Sequence, residues 1–165
     1  MGSADNILIG AGSVSIGGND CGYTKGVRLR PVRDTWFRPY MRGLGYSEAV
    51  KLSETFIIST FLVEATRANI LAAWDLCISD VGGVGVNKFR FGGSDTVTSR
   101  ELVFTGVAPG TNKTRTITFF KCVSAEFGQI AMQRGKETVV PATFECLIDT
   151  SRAAGAQLGE WQDET

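Results

Sequence analysis

At 165 residues the chain has the length of one domain that can bury most of its apolar surface unaided, so no second domain is required. Its 17 Lys and Arg balance 17 Asp and Glu, and no basic run is long enough for the footprint of a specific DNA-binding or membrane-surface protein. Histidine is absent and the four cysteines, Cys21, Cys77, Cys122 and Cys146, form no C-x-x-C pair, which removes the usual residues of metal sites and of Ser-His or Cys-His catalysis.

The opening MGSADNILIG lacks a basic n-region and a long apolar run, and Asn6 stands where a myristoylation signal needs Ser or Thr, so the expectation is synthesis in the cytoplasm. No apolar run approaches the length of a membrane span. Ile7–Ile16, the turn Gly17-Gly18-Asn19-Asp20 and Cys21–Arg30 read as a β-hairpin. Alternation puts Arg28 and Arg30 on one face of its second strand, facing either solvent or a carboxylate-bearing neighbour.

Pro31–Val50 has two prolines, two glycines and no sustained period, which predicts a long loop. Trp36, Phe37, Tyr40, Met41 and Tyr46 are interleaved there with Arg33, Arg38 and Arg42, the composition of a buried interface and not of a flexible tail. Loops of that length in a compact domain are functional or disordered, so this one is read as a contact element buried against a partner, the other reading being a loop folded back over its own core.

Lys51–Cys77 is the centre of the chain. Lys51 to Val63 is dense in β-branched and aromatic residues, with Leu52, Phe56, Ile58 and Leu62 on one face and Ile57, Phe61 and Val63 on the other, the pattern of a strand covered on both sides. Thr66 is placed as an N-cap before the helical spacing Ile70, Leu71, Trp74, Cys77, of which Ile70, Leu71 and Trp74 are the expected buried stripe. Ser79–Arg100 is Gly-rich around a short Asn87–Phe91 strand. Glu101–Val107 and Thr114–Val123 alternate across a turn, Thr138–Asp149 is the last strand, and the tail from Thr150 carries small and acidic residues. The count is about seven strands and one helix: a mainly β chain, a β-sandwich or half-barrel. Cys77, Cys122 and Cys146 lie among apolar neighbours and read as reduced, buried thiols.

Motifs for chemistry fail on spacing or context. Gly128 and Gly135-Lys136 are too far apart for a phosphate loop, and Glu137 follows where Ser or Thr is needed. Gly10-Ala11-Gly12 opens no helix, and nothing in the sequence brings two of the carboxylates together as a glycosidase pair. No enzyme and no cofactor are expected.

Ile9-Gly10-Ala11-Gly12-Ser13-Val14 with Gly22-Tyr23-Thr24-Lys25-Gly26-Val27, Glu64-Ala65-Thr66-Arg67-Ala68-Asn69-Ile70-Leu71, and Phe119–Gln133 with Thr138–Asp149 (Pro141, Phe144, Leu147-Ile148-Asp149) resemble the tail-tube (major tail) proteins of long-tailed bacteriophages. The likeness spans most of the chain. It departs at the 31–50 segment, which is more acidic in that family and here carries Arg33, Arg38 and Arg42.

The resemblance implies a fold shared with type VI secretion tube proteins. It also implies a virion protein of the tail whose hexameric rings stack into a hollow tube for DNA ejection. Partners would be other copies of the chain and the tape measure, tail terminator and distal tail proteins, with double-stranded DNA only in passage. On that reading Trp36, Phe37, Arg38, Tyr40, Met41 and Arg42 stack rings, and Arg28 and Arg30 lie at a subunit interface. The polar rows Lys51, Ser53, Thr55 and Thr114, Thr116, Thr118, with Glu145, are the lumen candidates, because hydroxyls bind water without holding phosphate. The alternatives are a monomeric β-sandwich that binds a partner through 31–50, or the tube protein of a contractile injection system.

Overall fold

A computed structural model of the chain describes residues 12–39, 46–75, 77–81, 87–92, 96–108 and 112–164. Among them run nine strands and one helix: β1 (Ser13–Ile16), β2 (Asn19–Pro39), β3 (Tyr46–Leu62), α1 (Arg67–Ala73), β4 (Cys77–Val81), β5 (Asn87–Phe91), β6 (Arg100–Val107), β7 (Thr114–Phe127), β8 (Val140–Cys146) and β9 (Gly159–Asp163). The chain is mainly β with one helix, as expected, but with two strands beyond the expected seven. The additions are β4, which begins at Cys77 where the helix was expected to continue, and β9, in what was read as a plain tail.

Seven strands form one antiparallel sheet in the order β6-β1-β2-β3-β8-β7-β9, and β6 also pairs with β7. That last pairing rolls β1, β2, β3, β8, β7 and β6 into a closed barrel with β9 appended to β7, while β4 and β5 make a separate ribbon. The interior is built from directly opposed residues, with a register shift in the β6–β7 ladder that turns both Phe119 and Cys122 inward. Val14 opposes Phe104, Ile16 opposes Leu102, Leu102 opposes Phe119, and Cys122 opposes Cys146. Cα partners in an antiparallel ladder share a face, and these are the buried residues. Ile58, Leu62, Val140, Ala142 and Phe144 complete that interior. The β1–β2 hairpin turns on Gly17 and Gly18, whose φ of 57° and 81° are those of a two-residue turn in which both positions are left-handed.

The helix covers the end of the barrel where β1 stops and β2 starts. Thr66 caps it as expected, accepting from the Asn69 N–H at 3.2 Å. Its inward residues are Asn69, Ala72 and Ala73, whereas Ile70 and Trp74 are half-buried against the core and Leu71 lies outside the core cluster, which corrects the expected stripe. The buried amide is satisfied by backbone: Asn69 Nδ2 donates to the Cys21 and Glu64 carbonyls at 3.0 and 2.8 Å. Trp74 instead donates its indole N–H to the Pro141 carbonyl at 3.0 Å. Arg100, at the start of β6, donates to the Leu71 carbonyl at 2.8 Å and to that of Ala72, and pairs with Asp75 at 3.0 Å, so one guanidinium closes the C-terminal end of the helix.

Where it is described, the 31–50 segment is strand and not loop. Residues 31–39 continue β2 and 46–50 begin β3, paired from Thr24↔Leu62 to Pro39↔Tyr46. Two prolines are tolerated because no described residue pairs with the β2 edge here. β1 pairs only with Asn19–Tyr23, so Pro31 and Pro39 interrupt no ladder on that side.

Candidate assembly surface

Beyond Ile57, the last residue of β3 that pairs with β8, the β2–β3 hairpin has no strand on either side among the described residues and projects from the barrel as a two-stranded arm. A hairpin alone in water is marginal. Polar cross-links therefore matter at its base. Glu54 accepts from Lys51 and from Arg33, each at 2.7 Å, and these cations hold its carboxyl down to about 2, the Lys51 hydrogen bond being the larger cause and the Arg33 hydrogen bond the next. Farther out, Arg38 and Glu48 pair at 3.6 Å and the Phe37 and Tyr46 rings lie 5.2 Å apart.

The arm leaves apolar surface open on both faces. Trp36 opposes Val50 on one face, and Phe37 opposes Ala49 on the other. Trp36 and Phe37 are each 49% exposed, Leu52 61% and Tyr46 72%. Of the expected stacking residues, the structure thus brings Trp36, Phe37 and Arg38 together near the arm's outer end. Tyr40, Met41 and Arg42 lie outside the described residues.

Register breaks between Asp34↔Ser53 and Thr35↔Lys51, leaving Leu52 as an extra residue in β3. This bulge puts Lys51 on the opposite face from Ser53 and Thr55, so the expected row Lys51, Ser53, Thr55 does not exist. Lys51 shares a face with Glu54 and Arg33, while the Thr55 hydroxyl donates to the Cys146 carbonyl at 2.6 Å.

At the arm's base, the barrel end opposite the helix is open as a groove of about 470 Å³. Its apolar lining includes Leu29, Leu52, Phe56, Ile117, Leu158 and Trp161. Trp161 is brought there by β9, where it opposes Ile117 and lies beneath the Arg115 guanidinium, 4.5 Å from the ring centroid. Arg115 also binds Asp163 through two nitrogens at 2.6 and 2.7 Å, which holds the Asp163 carboxyl below its ordinary value and the guanidinium above its own. Sequence reasoning missed this half of the surface, and Trp161 amid polar residues was its one signal.

The remaining expected residues fall on the barrel's outer face. Arg28 opposes Ser59 and Arg30 opposes Ile57, and both arginines are exposed with no ion pair among the described residues. Glu145 opposes Ile57 from the other side, so Arg30, Ile57 and Glu145 form one row across three strands. Thr114, Thr116 and Thr118 share an outer face with Val107, Thr105 and Val103. Thr118 is buried there, at 8% exposed, and the other two threonines are half-buried. Phe61, expected under cover, is 44% exposed on this outer side.

Among the described residues, no three of Cys, Asp and Glu gather as metal ligands, and no helix is long and apolar enough to cross a membrane. No protein-family model matches the chain, and no curated protein matches it.

Proposed function

We propose that the chain is a structural protein that associates with further copies of itself into hexameric rings stacked as a hollow tube, as in the phage tail tubes its sequence resembles. The observation that carries this reading is the arm: a hairpin that, among the described residues, pairs with nothing beyond Ile57 and keeps exposed aromatics on both faces and two open edges. Natural proteins blunt or cover such edges, and a neighbouring copy covers them without a separate partner. The open groove beside it is the second apolar surface that association would bury.

In this reading Trp36 and Phe37 anchor contacts between rings, because aromatic side chains carry interface energy when desolvated. Arg28 and Arg30 serve the contact between subunits, where a neighbour's carboxylate would meet their unpaired charge. The Thr114 and Thr116 face, with Ser53, Thr55 and Glu145, is the proposed water-facing wall; Lys51 and the buried Thr118 leave that set. The tube lies in the virion tail, passes DNA without binding it specifically, and abuts the tape measure, terminator and distal tail proteins.

Negative-stain microscopy and sedimentation of the purified chain test this. Rings or tubes of uniform width are expected. A strict monomer across salt and concentration would refute assembly and favour a monomeric module that binds its partner through the arm and groove.

A further inference from the structure

The proposed assembly makes no use of two thiols that face each other inside the barrel. Cys122 on β7 and Cys146 on β8 are direct register partners, and their Sγ atoms lie 3.2 Å apart. Directly opposed residues have Cβ atoms about 4.5–5.5 Å apart. A disulfide spans about 3.5–4.5 Å, so a slight approach of the two strands and a rotation of each side chain bring the sulfurs to bonding distance. Cys21, the other buried thiol among the described residues, is engaged elsewhere: its Sγ accepts from the Asn19 amide at 3.4 Å.

The pair is protected but has a point of entry. Cys122 and Cys146 are 0% and 2% exposed. The contact with Cys146 and burial both raise the Cys122 thiol far above its ordinary value, and the attacking species is the thiolate, so the closed barrel reacts slowly. Cys146, however, is the last residue of β8. Past it the ladder to β7 continues with the Leu147 N–H donating to the Lys121 carbonyl at 2.7 Å, and Leu147 and Ile148 are already exposed. Fraying that short end uncovers the Cys146 sulfur while the rest of the barrel stays closed.

We infer that Cys122 and Cys146 form an oxidisable dithiol, which a small disulfide converts into a bridge stapling β7 to β8. The Cys146 thiolate attacks one sulfur of the small disulfide, forming a mixed disulfide and releasing one thiol. The Cys122 thiolate then attacks the Cys146 sulfur, forming the bridge and expelling the second thiol. Two protein thiols are oxidised by two electrons, the reagent is reduced by the same two, and the two protons end on the released thiols. The bridge joins strands that are already paired, so the closed barrel accepts it without a change of register.

The test uses the full chain, reduced and then treated with two equivalents of dipyridyl disulfide, followed by denaturing alkylation and trypsin. Peptides 122–134 and 137–152 should appear as one linked species from the monomeric chain, and the oxidised protein should unfold at higher denaturant than the reduced one. Cys146→Ser and Cys122→Ser should each abolish the link, with Cys122→Ala standing in if the buried serine prevents folding. A mixed disulfide that persists on Cys146, a link between two chains, or consumption of Cys21 and Cys77 while Cys122 and Cys146 remain thiols would overturn the inference.

Discussion

Replacing Arg100 by Met should be among the most damaging single changes outside the apolar core. Its guanidinium, 23% exposed, serves the Leu71 and Ala72 carbonyls at the helix end and Asp75, whose side chain is 10% exposed. The Asp75 Oδ2 atom already has no hydrogen-bond partner among the described residues, so without Arg100 the carboxylate is buried with neither a counter-charge nor a donor in reach. Breaking a buried pair from one side costs about 3–5 kcal/mol; the partial exposure of Arg100 argues for the lower end, about 3 kcal/mol. For a chain of this size that is a fall in Tm of roughly 6–12 °C. Urea and thermal denaturation followed by circular dichroism measure it. Adding Asp75→Asn to Arg100→Met should recover part of the loss, because the orphaned charge is then gone. A loss below about 1 kcal/mol, or no recovery in the double variant, would refute the role assigned to Arg100.

Trp36→Ala should leave the unfolding midpoint within about 1 kcal/mol, since the side chain is half exposed, yet raise the concentration needed for assembly roughly 30-fold or more, as loss of an anchor worth about 2 kcal/mol predicts; sedimentation showing unchanged assembly would remove the arm from the contact. Acid should weaken the arm's base. Glu54, depressed from 4.5 to about 2, contributes stability present above pH 4.5 that is lost as pH falls toward 2, so Glu54→Gln should flatten the pH dependence of the denaturation midpoint in that window, and an unchanged slope would contradict this. Chain purified without added oxidant should take up four alkylating groups after denaturation, and mass spectrometry showing fewer would contradict the assignment of free thiols.

What could be read from the sequence is what local rules decide. Alternation located β6 and β7, the Gly17-Gly18 pair located the first hairpin, and Thr66 marked the helix start, because each signal lies within a few residues of the structure it sets. The arm was invisible for a physical reason. A hairpin with exposed residues on both faces has no buried side to impose period two, and Pro31 and Pro39 mimic a loop where they sit on an edge that no described residue pairs. The Leu52 bulge is a property of the pairing and not of one strand, so counting along β3 alone carried Lys51 onto the wrong face. The helix misled because the covered barrel end accepts Ala72, Ala73 and an amide, leaving Ile70 and Trp74 at its flanks. β9 has one large apolar residue, and its place beside β7 depends on Ile117.

The unlike ends of the barrel have a consequence for growth. One end is shut by α1, while the arm and the groove both lie at the other, so the molecule has an inherent direction. A contact that uses the arm of one copy and a different patch of the next is heterologous: it leaves a free arm at one end of every chain of copies and a free patch at the other. Such contacts saturate only when a ring closes, and otherwise they extend without limit. The size of the proposed assembly would then be set by the angle between successive copies, which the Leu52 bulge would help to fix through the aim of the arm.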